Sequence, residues 1–399
     1  MSRITTSRRM LAAATGGLAV LTFQAVATAG SVPASATTSD AAAAADDAVT
    51  VVAKGLDNPR GLSFGPDGAL YVALAGSGGK TKCAAMPAEQ GAKPEKMCFG
   101  YSGKIIKIKD GSTSTVVSKL PSAASGGFGL GPHDVAVAED GRMLITIGLG
   151  GDAKLRAKLG PKARNLGTLM SVSANGRTAR IADLVAYEVR HNPDRKDKGS
   201  AVDAYPFGVV ATSDGGALVT DVGGNDVLKV SAKGKISTRA VFHARSADAP
   251  PELKMPKGSK LPLQSVPMGI TQGPDGAYYV AEHAGFPQPV GVARVFRLSG
   301  KGKGKPTVAA KGFTTVVDVA FDAKGRMIVL GSVGKIPADG QALTTIYRVE
   351  ADGSHTELLK PGTLKAPIAM ALADDGSAYV SQNPYAPGKG EIVRVALSE

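Results

Sequence analysis

A short pattern recurs six times along this chain: an apolar strand, a tight turn ending in glycine, and a second apolar strand. Nothing else in the sequence restricts the fold as strongly, because each copy marks one supersecondary unit. Its plainest forms are GPDGALYV at 65–72 and GPDGAYYV at 273–280, and the others centre on AEDGRMLI, TSDGGALV, DAKGRMIV and ADDGSAYV. The turn residues explain themselves. Pro66 presets φ for the first central position, Asp67 tolerates the second, and Gly68 can take the positive φ that closes the hairpin. Gly141, Gly215, Gly276, Gly325 and Gly376 hold the same place.

Each hairpin is followed by a loop and a third strand with alternating apolar residues, such as KIIKIK or ARVFRL. That period of two marks a strand with one buried face. Another glycine turn and a polar fourth strand complete most copies. Four short strands are the content of one propeller blade, so six copies read as an all-β, six-bladed β-propeller over 49–399. The sixth copy has only three strands, while VTVVAKGL at 49–56 is spare. The economical solution puts this N-terminal strand at the outside of the last blade, where it closes the ring and removes an exposed edge.

The segment before the repeats is of a different kind. Residues 1–36 carry a basic start (Arg3, Arg8, Arg9), an Ala-rich apolar run and small-x-small cleavage patterns, and read as a secretory signal peptide. SRRML at 7–11 fits the twin-arginine export pattern as well as an ordinary signal. Residues 37–48 read as a flexible lead-in, and no membrane span is expected after cleavage. Two cysteines, Cys83 and Cys98, close a Pro/Gly/Lys-rich stretch. In an oxidising compartment that pair is most simply a disulfide. Net charge is +13, of which the leader supplies three arginines. A secreted basic protein is drawn to anionic surfaces such as wall polymers, acidic sugars or lipid headgroups, and the expected partner is an unidentified small molecule or an anionic cell-surface polymer. Nucleic acid is disfavoured by export and by the lack of aromatics interleaved with the basic runs. A secreted monomer is the expected state.

In a propeller, the first-to-second and third-to-fourth turns share one face. The second-to-third and inter-blade loops share the other. Every long insertion here falls in the second class, at 76–102, 149–166, 185–205, 243–265, 283–292, 331–344 and 382–390. Insertions gathered on one face mark the expected binding face. Candidates at the channel mouth there are Arg60, His133, Asp134, Asp221, Asn225, Glu282, His283, Asp318 and Asn383. Asp134 and Asp318 hold the same repeat position in blades two and five, so they should face each other across the channel. Three readings of this ring stay open. The carboxylates and amides can be structural, hydrogen-bonded to backbone. Asp221 and Asp318 can contribute to a divalent metal site, most plausibly Ca²⁺ on oxygen ligands. His133 or His283 beside a carboxylate can do acid–base work. No HExxH, EF-hand, GxSxG or Walker A motif is present. His191, His243 and His355 fall in loops or polar strands and are expected to be solvated.

As a set, the phrases GLDNPRGLSFGPDGALYVA, DLVAYEVRHNPD, ALVTDVGGNDVLKV, SVPMGITQGPDGAYYVAEHAGFP, GFTTVVDVAFDAKG and GKGEIVRV resemble the ScyD/ScyE family of secreted six-bladed propellers. The resemblance covers most of 49–399 and implies a TolB-like ring and an extracellular location, but no defined reaction. Matched positions include Glu188, Asn192, Pro193, Asp221, Gly224, Asn225, Gly285, Phe286, Pro287 and Asp318. Where the family tends to have Asn-Pro-Tyr at the start of blade three, this chain has Ala204-Tyr205-Pro206-Phe207, so an amide is lost. The leading expectation is a non-enzymatic binding or scaffold module that uses its variable basic face. The alternative is a divalent-metal-dependent, lactonase-like hydrolase or lyase at the channel mouth. A quinone-dependent sugar dehydrogenase is a third, weaker reading, since no His–Arg–Lys cofactor set stands out.

Overall fold

The computed structural model describes residues 48–85, 95–300, 302, 304–337 and 342–397. The leader at 1–36 and nearly all of the 37–48 lead-in lie outside the described residues. The rest is a six-bladed β-propeller, each blade an antiparallel sheet with four main strands. The innermost strands touch their neighbours all the way round: Pro59–Phe64, Pro132–Val137, Pro206–Ala211, Ser265–Gln272, Thr315–Phe321, Ala369–Leu372, and back to the first. Ring closure is as the repeat count requires. Blade six runs Ala369–Leu372, Ala378–Gln382 and Gly390–Val395, and its outermost strand is the N-terminal Val49–Leu56. Val49 lies opposite Val395 and Leu56 opposite Gly390.

The six turn glycines do what their position demands. Gly68, Gly141, Gly215, Gly276, Gly325 and Gly376 have φ between 70° and 82°, a region closed to most side chains. Second strands such as Met143–Ile147 and Ala217–Asp221 are buried along their whole length, because each blade is sandwiched between two others.

Short side-chain latches tie blade to blade. Thr146 Oγ1 donates to Phe207 O at 2.6 Å, Thr220 Oγ1 to Met268 O at 2.6 Å, and Ser63 Oγ to Val135 O at 2.8 Å. Ser381 Oγ donates to Arg60 O at 2.6 Å, which joins the last blade to the first. All sit next to the channel, where a neighbouring blade's backbone would otherwise leave polar groups unpaired.

The insertions are more ordered than their composition suggests. In blade one, the third and fourth strands extend to Lys96–Lys109 and Ser112–Ser125, and Lys82–Ala85 pairs with the extension. Cys83 and Cys98 are directly opposed in that added hairpin and form a disulfide, with Cα atoms 4.0 Å apart. The pair therefore staples strands as well as closing a loop. In the chain-entropy model, closing that loop is worth about 3 kcal/mol. The 149–166 and 185–205 insertions carry the helices Ala153–Lys158 and Leu184–His191, and 243–265 carries a small sheet of Arg245–Asp248 and Lys260–Leu263. Asp183 caps the second helix by accepting from Ala186 N at 3.0 Å, and Asn192 ends it in the left-handed region.

Candidate functional site

The two carboxylates singled out by repeat position behave as a pair. Asp134 Oδ1 accepts from Val135 N and Oδ2 from Val209 N of the next blade, both at 2.8 Å. Asp318 repeats the arrangement with Val319 N and Met370 N, both at 2.9 Å. A glycine of the preceding blade lies against each carboxyl: a Cβ on Gly61 would stand 2.6 Å from Asp134 Cγ, and one on Gly269 2.7 Å from Asp318 Cγ. Each aspartate thus joins three successive blades. Both touch the narrow channel yet are enclosed by protein atoms. That enclosure pushes the Asp134 carboxyl up to about 8, with the Asp318 charge adding to it against two backbone hydrogen bonds. It pushes Asp318 up to about 7. All four oxygens already have donors.

On the insertion-bearing side of the ring, the mouth is built around Arg60. Its side chain is 1% exposed, and its Nη2 donates to Gly129 O at 2.9 Å. Its Nε has no acceptor, and no carboxylate forms an ion pair with it among the described residues. The guanidinium carbon lies 5.3 Å from the ring centroids of both Phe128 and Tyr385, which stack on each other at 6.0 Å. Its charge is also felt by His133 and Tyr205. His133 is buried, 3.9 Å from the Phe207 ring and edge-on to Tyr205 at 5.3 Å. Burial, with Arg60 assisting, holds its imidazole well below the usual range and so neutral. Its Nδ1 has no partner. Burial pushes the Tyr205 phenol up to about 12 and also raises Tyr385. Phe128, Tyr205 and Tyr385 keep part of their surface accessible above the buried arginine.

Beside the mouth, blade three gathers a second group. Asp221 and Asp226 face each other across the hairpin Asp221-Val222-Gly223-Gly224-Asn225-Asp226. Asp221 Oδ1 accepts from Tyr205 N at 2.6 Å, Gly223 N at 3.0 Å and Gly224 N at 3.1 Å. Glu188 comes from the helix, and Asp194 and Asp203 from the loop after it. Burial and neighbouring carboxylates push Glu188 up to about 8, Asp203 to about 7 and Asp221 to about 6, and raise Asp226; Asp194 is raised by burial and by the charge of Asp197. Asn225 Nδ2 donates to Asp194 Oδ2 at 2.9 Å and Gln264 Oε1 at 3.2 Å. Among the described residues, no group of three or more His, Cys, Asp or Glu side chains is placed to hold a metal ion as the chain stands.

The remaining candidates are drawn into structural contacts. Glu282 is buried and ion-paired with Arg294 (Nε 2.8 Å) and Arg245 (Nη2 3.0 Å), and it also accepts from Ser265. His283 lies 2.6 Å from Thr315 Oγ1 and 3.3 Å from Gln288 Nε2, and burial pushes it down to about 4. Asn383 takes a left-handed conformation, and its backbone N–H donates to Lys365 O at 2.9 Å.

Of the three histidines expected in solvent, His243 is exposed beside Asp197 at 3.0 Å and His191 stacks on Tyr187 at 4.1 Å. His355 departs from the expectation. It stacks on Phe313 at 4.0 Å with its Nε2 buried, because the outer strand of blade five is covered by the end of blade four. The basic run RHNPDRKDKG lines a shallow groove of about 540 Å³ with Arg190, His191 and Arg195, beside the outer strand of blade three.

Residue patterns did not point to Phe128, Tyr205 or Tyr385, which lie far apart in sequence, Phe128 in the short strand Phe128–Leu130 and the two tyrosines in loops. Asp226 was legible in principle, as the second aspartate of DVGGND, and Asp194 as the acid of HNPD.

No family model matches this chain, and no curated protein matches its sequence. Solved structures do resemble it. A gluconolactonase from Xanthomonas campestris aligns over 94% of this chain and 99% of its own, at 13% identity and a TM-score of 0.50. The PQQ-bound aldose sugar dehydrogenase of Streptomyces coelicolor aligns over 88% and 98%, at 13% identity and a TM-score of 0.50. A streptogramin B lyase aligns over 88% and 97%, at 12% identity and a TM-score of 0.42. At these identities the likeness is one of fold.

Proposed function

We propose that this chain is a secreted binding module whose channel mouth takes a small anionic ligand with a planar apolar body. The observation that carries this is Arg60: a buried guanidinium with no carboxylate partner among the described residues, packed against the partly accessible rings of Phe128 and Tyr385, with Tyr205 close enough to feel its charge. A buried cation without a counter-ion is costly, and a carboxylate or similar anion would offset that cost. The aromatic rims would supply apolar contact and orientation. The disulfide is consistent with export. The basic rim near Arg190 and Arg195 would raise the local concentration of anions.

A hydrolase or lyase reading needs a competent base at the channel. Asp134 and Asp318 have both oxygens engaged, and His283 at about 4 is a weak base. These features favour binding over acid–base turnover. The test is a thermal-shift and calorimetric panel of aromatic and sugar carboxylates beside their neutral amides. Carboxylates should bind, amides should not, and Tyr385→Ala should weaken binding by at least about tenfold, or roughly 1.4 kcal/mol. Equal binding of acid and amide, or turnover of a lactone panel with added divalent metal, would reverse the choice.

A further inference from the structure

The blade-three cluster is a different kind of site from the mouth. Asp226 is 1% exposed and both its carboxylate oxygens lack a donor. Asp203 Oδ1 and Asn225 Oδ1 are also buried without one. Four acceptor oxygens thus lie unsatisfied in one small region, whereas buried acceptors are normally paired. No lysine or arginine forms an ion pair with Glu188, Asp194, Asp203, Asp221 or Asp226 among the described residues. The nearby cationic pairs belong elsewhere: Arg156 and Arg180 to Asp183, and His243 to Asp197.

The carboxyls converge on one place. A Cβ on Gly224 would lie 3.2 Å from Glu188 Oε2 and 3.7 Å from the Cγ atoms of both Asp221 and Asp226. Glycine leaves that cradle open. Around it, outer partners hold the acids in position. With its amide nitrogen turned toward them, Asn192 donates to Asp194 Oδ1 at 2.7 Å and Glu188 Oε1 at 3.2 Å. Asp221 is fixed by its three backbone donors. An arrangement rich in acceptors, short of donors and braced from behind is suited to a cation.

We propose that Glu188, Asp221, Asp226 and the Asn225 amide oxygen form a Ca²⁺ site that braces the blade-three hairpin beside the channel mouth. The ligands are all oxygen, unequal in kind and irregularly placed, which suits the flexible shell of Ca²⁺ better than the strict octahedron of Mg²⁺. As they stand, no three of these acids are placed to hold an ion, so binding requires the side chains around Gly224 to rearrange onto it. The site keeps Asp221 but not Asp318 of the two metal candidates read from the sequence. Asp318 is committed to Val319 N and Met370 N in blades five and six.

The test uses the full mature chain, stripped with EDTA and dialysed. Ca²⁺ should bind with 1:1 stoichiometry in calorimetry and raise Tm, and Mg²⁺ at equal concentration should do so less. The protein has no tryptophan, so Tb³⁺ luminescence would be sensitised by tyrosine, and Tyr205 is a neighbour of the site, its backbone N–H donating to Asp221 Oδ1. That emission should be quenched by Ca²⁺. Asp226→Asn should abolish both signals while raising the Tm of the metal-free protein, since an uncharged amide brings N–H donors to a cluster of unsatisfied acceptors. Gly224→Ala should abolish binding by filling the cradle. Failure of the wild type to bind Ca²⁺ or Tb³⁺ at millimolar concentration would overturn the site and leave a proton-sharing cluster only. Unchanged Ca²⁺ affinity in Asp226→Asn would overturn it as well. Carboxylate binding at Arg60 is read in a separate assay, so either proposal can fail alone.

Discussion

Asp134 and Asp226 are both enclosed by protein, and both have carboxyls pushed upward by burial. They differ in what faces them. Each oxygen of Asp134 meets a backbone N–H, one of them from the next blade, whereas neither oxygen of Asp226 meets any donor. Asp318 matches Asp134 in this respect, and the acids around Gly224 resemble Asp226. A raised carboxyl therefore does not by itself mark a functional site. The donor inventory separates a latch from a site that wants a ligand.

Removing a latch should have the largest effect. Asp318→Ala leaves Val319 N and Met370 N without their acceptor, and should cost about 2–4 kcal/mol by urea denaturation. Asp134→Ala should do the same at blades two and three. Neutralising Asp226 in metal-free protein should move stability the other way. If both substitutions changed stability in the same direction, the distinction between latch and ligand site would collapse.

A smaller effect is expected from the glycines that face the latches. Gly269→Ala places a methyl group against the Asp318 carboxyl and should cost about 1–3 kcal/mol through overpacking. Gly276→Ala, with nothing within 4 Å of its added Cβ, should show only the strain of its positive φ. Comparing the two by thermal melting separates steric latch disruption from turn strain.

A separate effect is on pH dependence. Folded Asp134 and Asp318 hold protons up to about 8 and about 7, while the unfolded chain releases them in the ordinary carboxylate range near 3.8. The native state therefore binds more protons between those limits. The stability from these groups is full below the unfolded value and is lost as pH rises through 7–8. An Asp134→Asn/Asp318→Asn double variant should melt with a shallower decline between pH 5 and about 8.5 than the wild type. Parallel slopes would show that the latches stay ionised.

Much of the architecture was legible from local chemistry. The turn glycines set the repeat, and the spare N-terminal strand set the ring closure. Asp134 and Asp318 were legible as an opposed pair because repeat position maps directly onto angle around the channel. Their partners were not. Val209 N and Met370 N belong to the next blade, and a sequence pattern carries no record of which backbone donor a side chain will meet. The mouth was legible only in Arg60 and His133. Tyr205 and Tyr385 reach it from two separate insertions and Phe128 from the short strand Phe128–Leu130 between blades one and two, and these paths depend on packing.

The sequence by itself determined the repeat unit, the number of blades, the closing strand and the face that carries the insertions. These follow from turn stereochemistry and the two-residue period of a strand, which act within a few residues. Only the tertiary structure decided that one pair of carboxyls is satisfied and another group is not, and that Arg60 lies under aromatic rings without a counter-ion. Those outcomes depend on donors and acceptors brought together from distant blades, and burial then makes each satisfied or missing partner count.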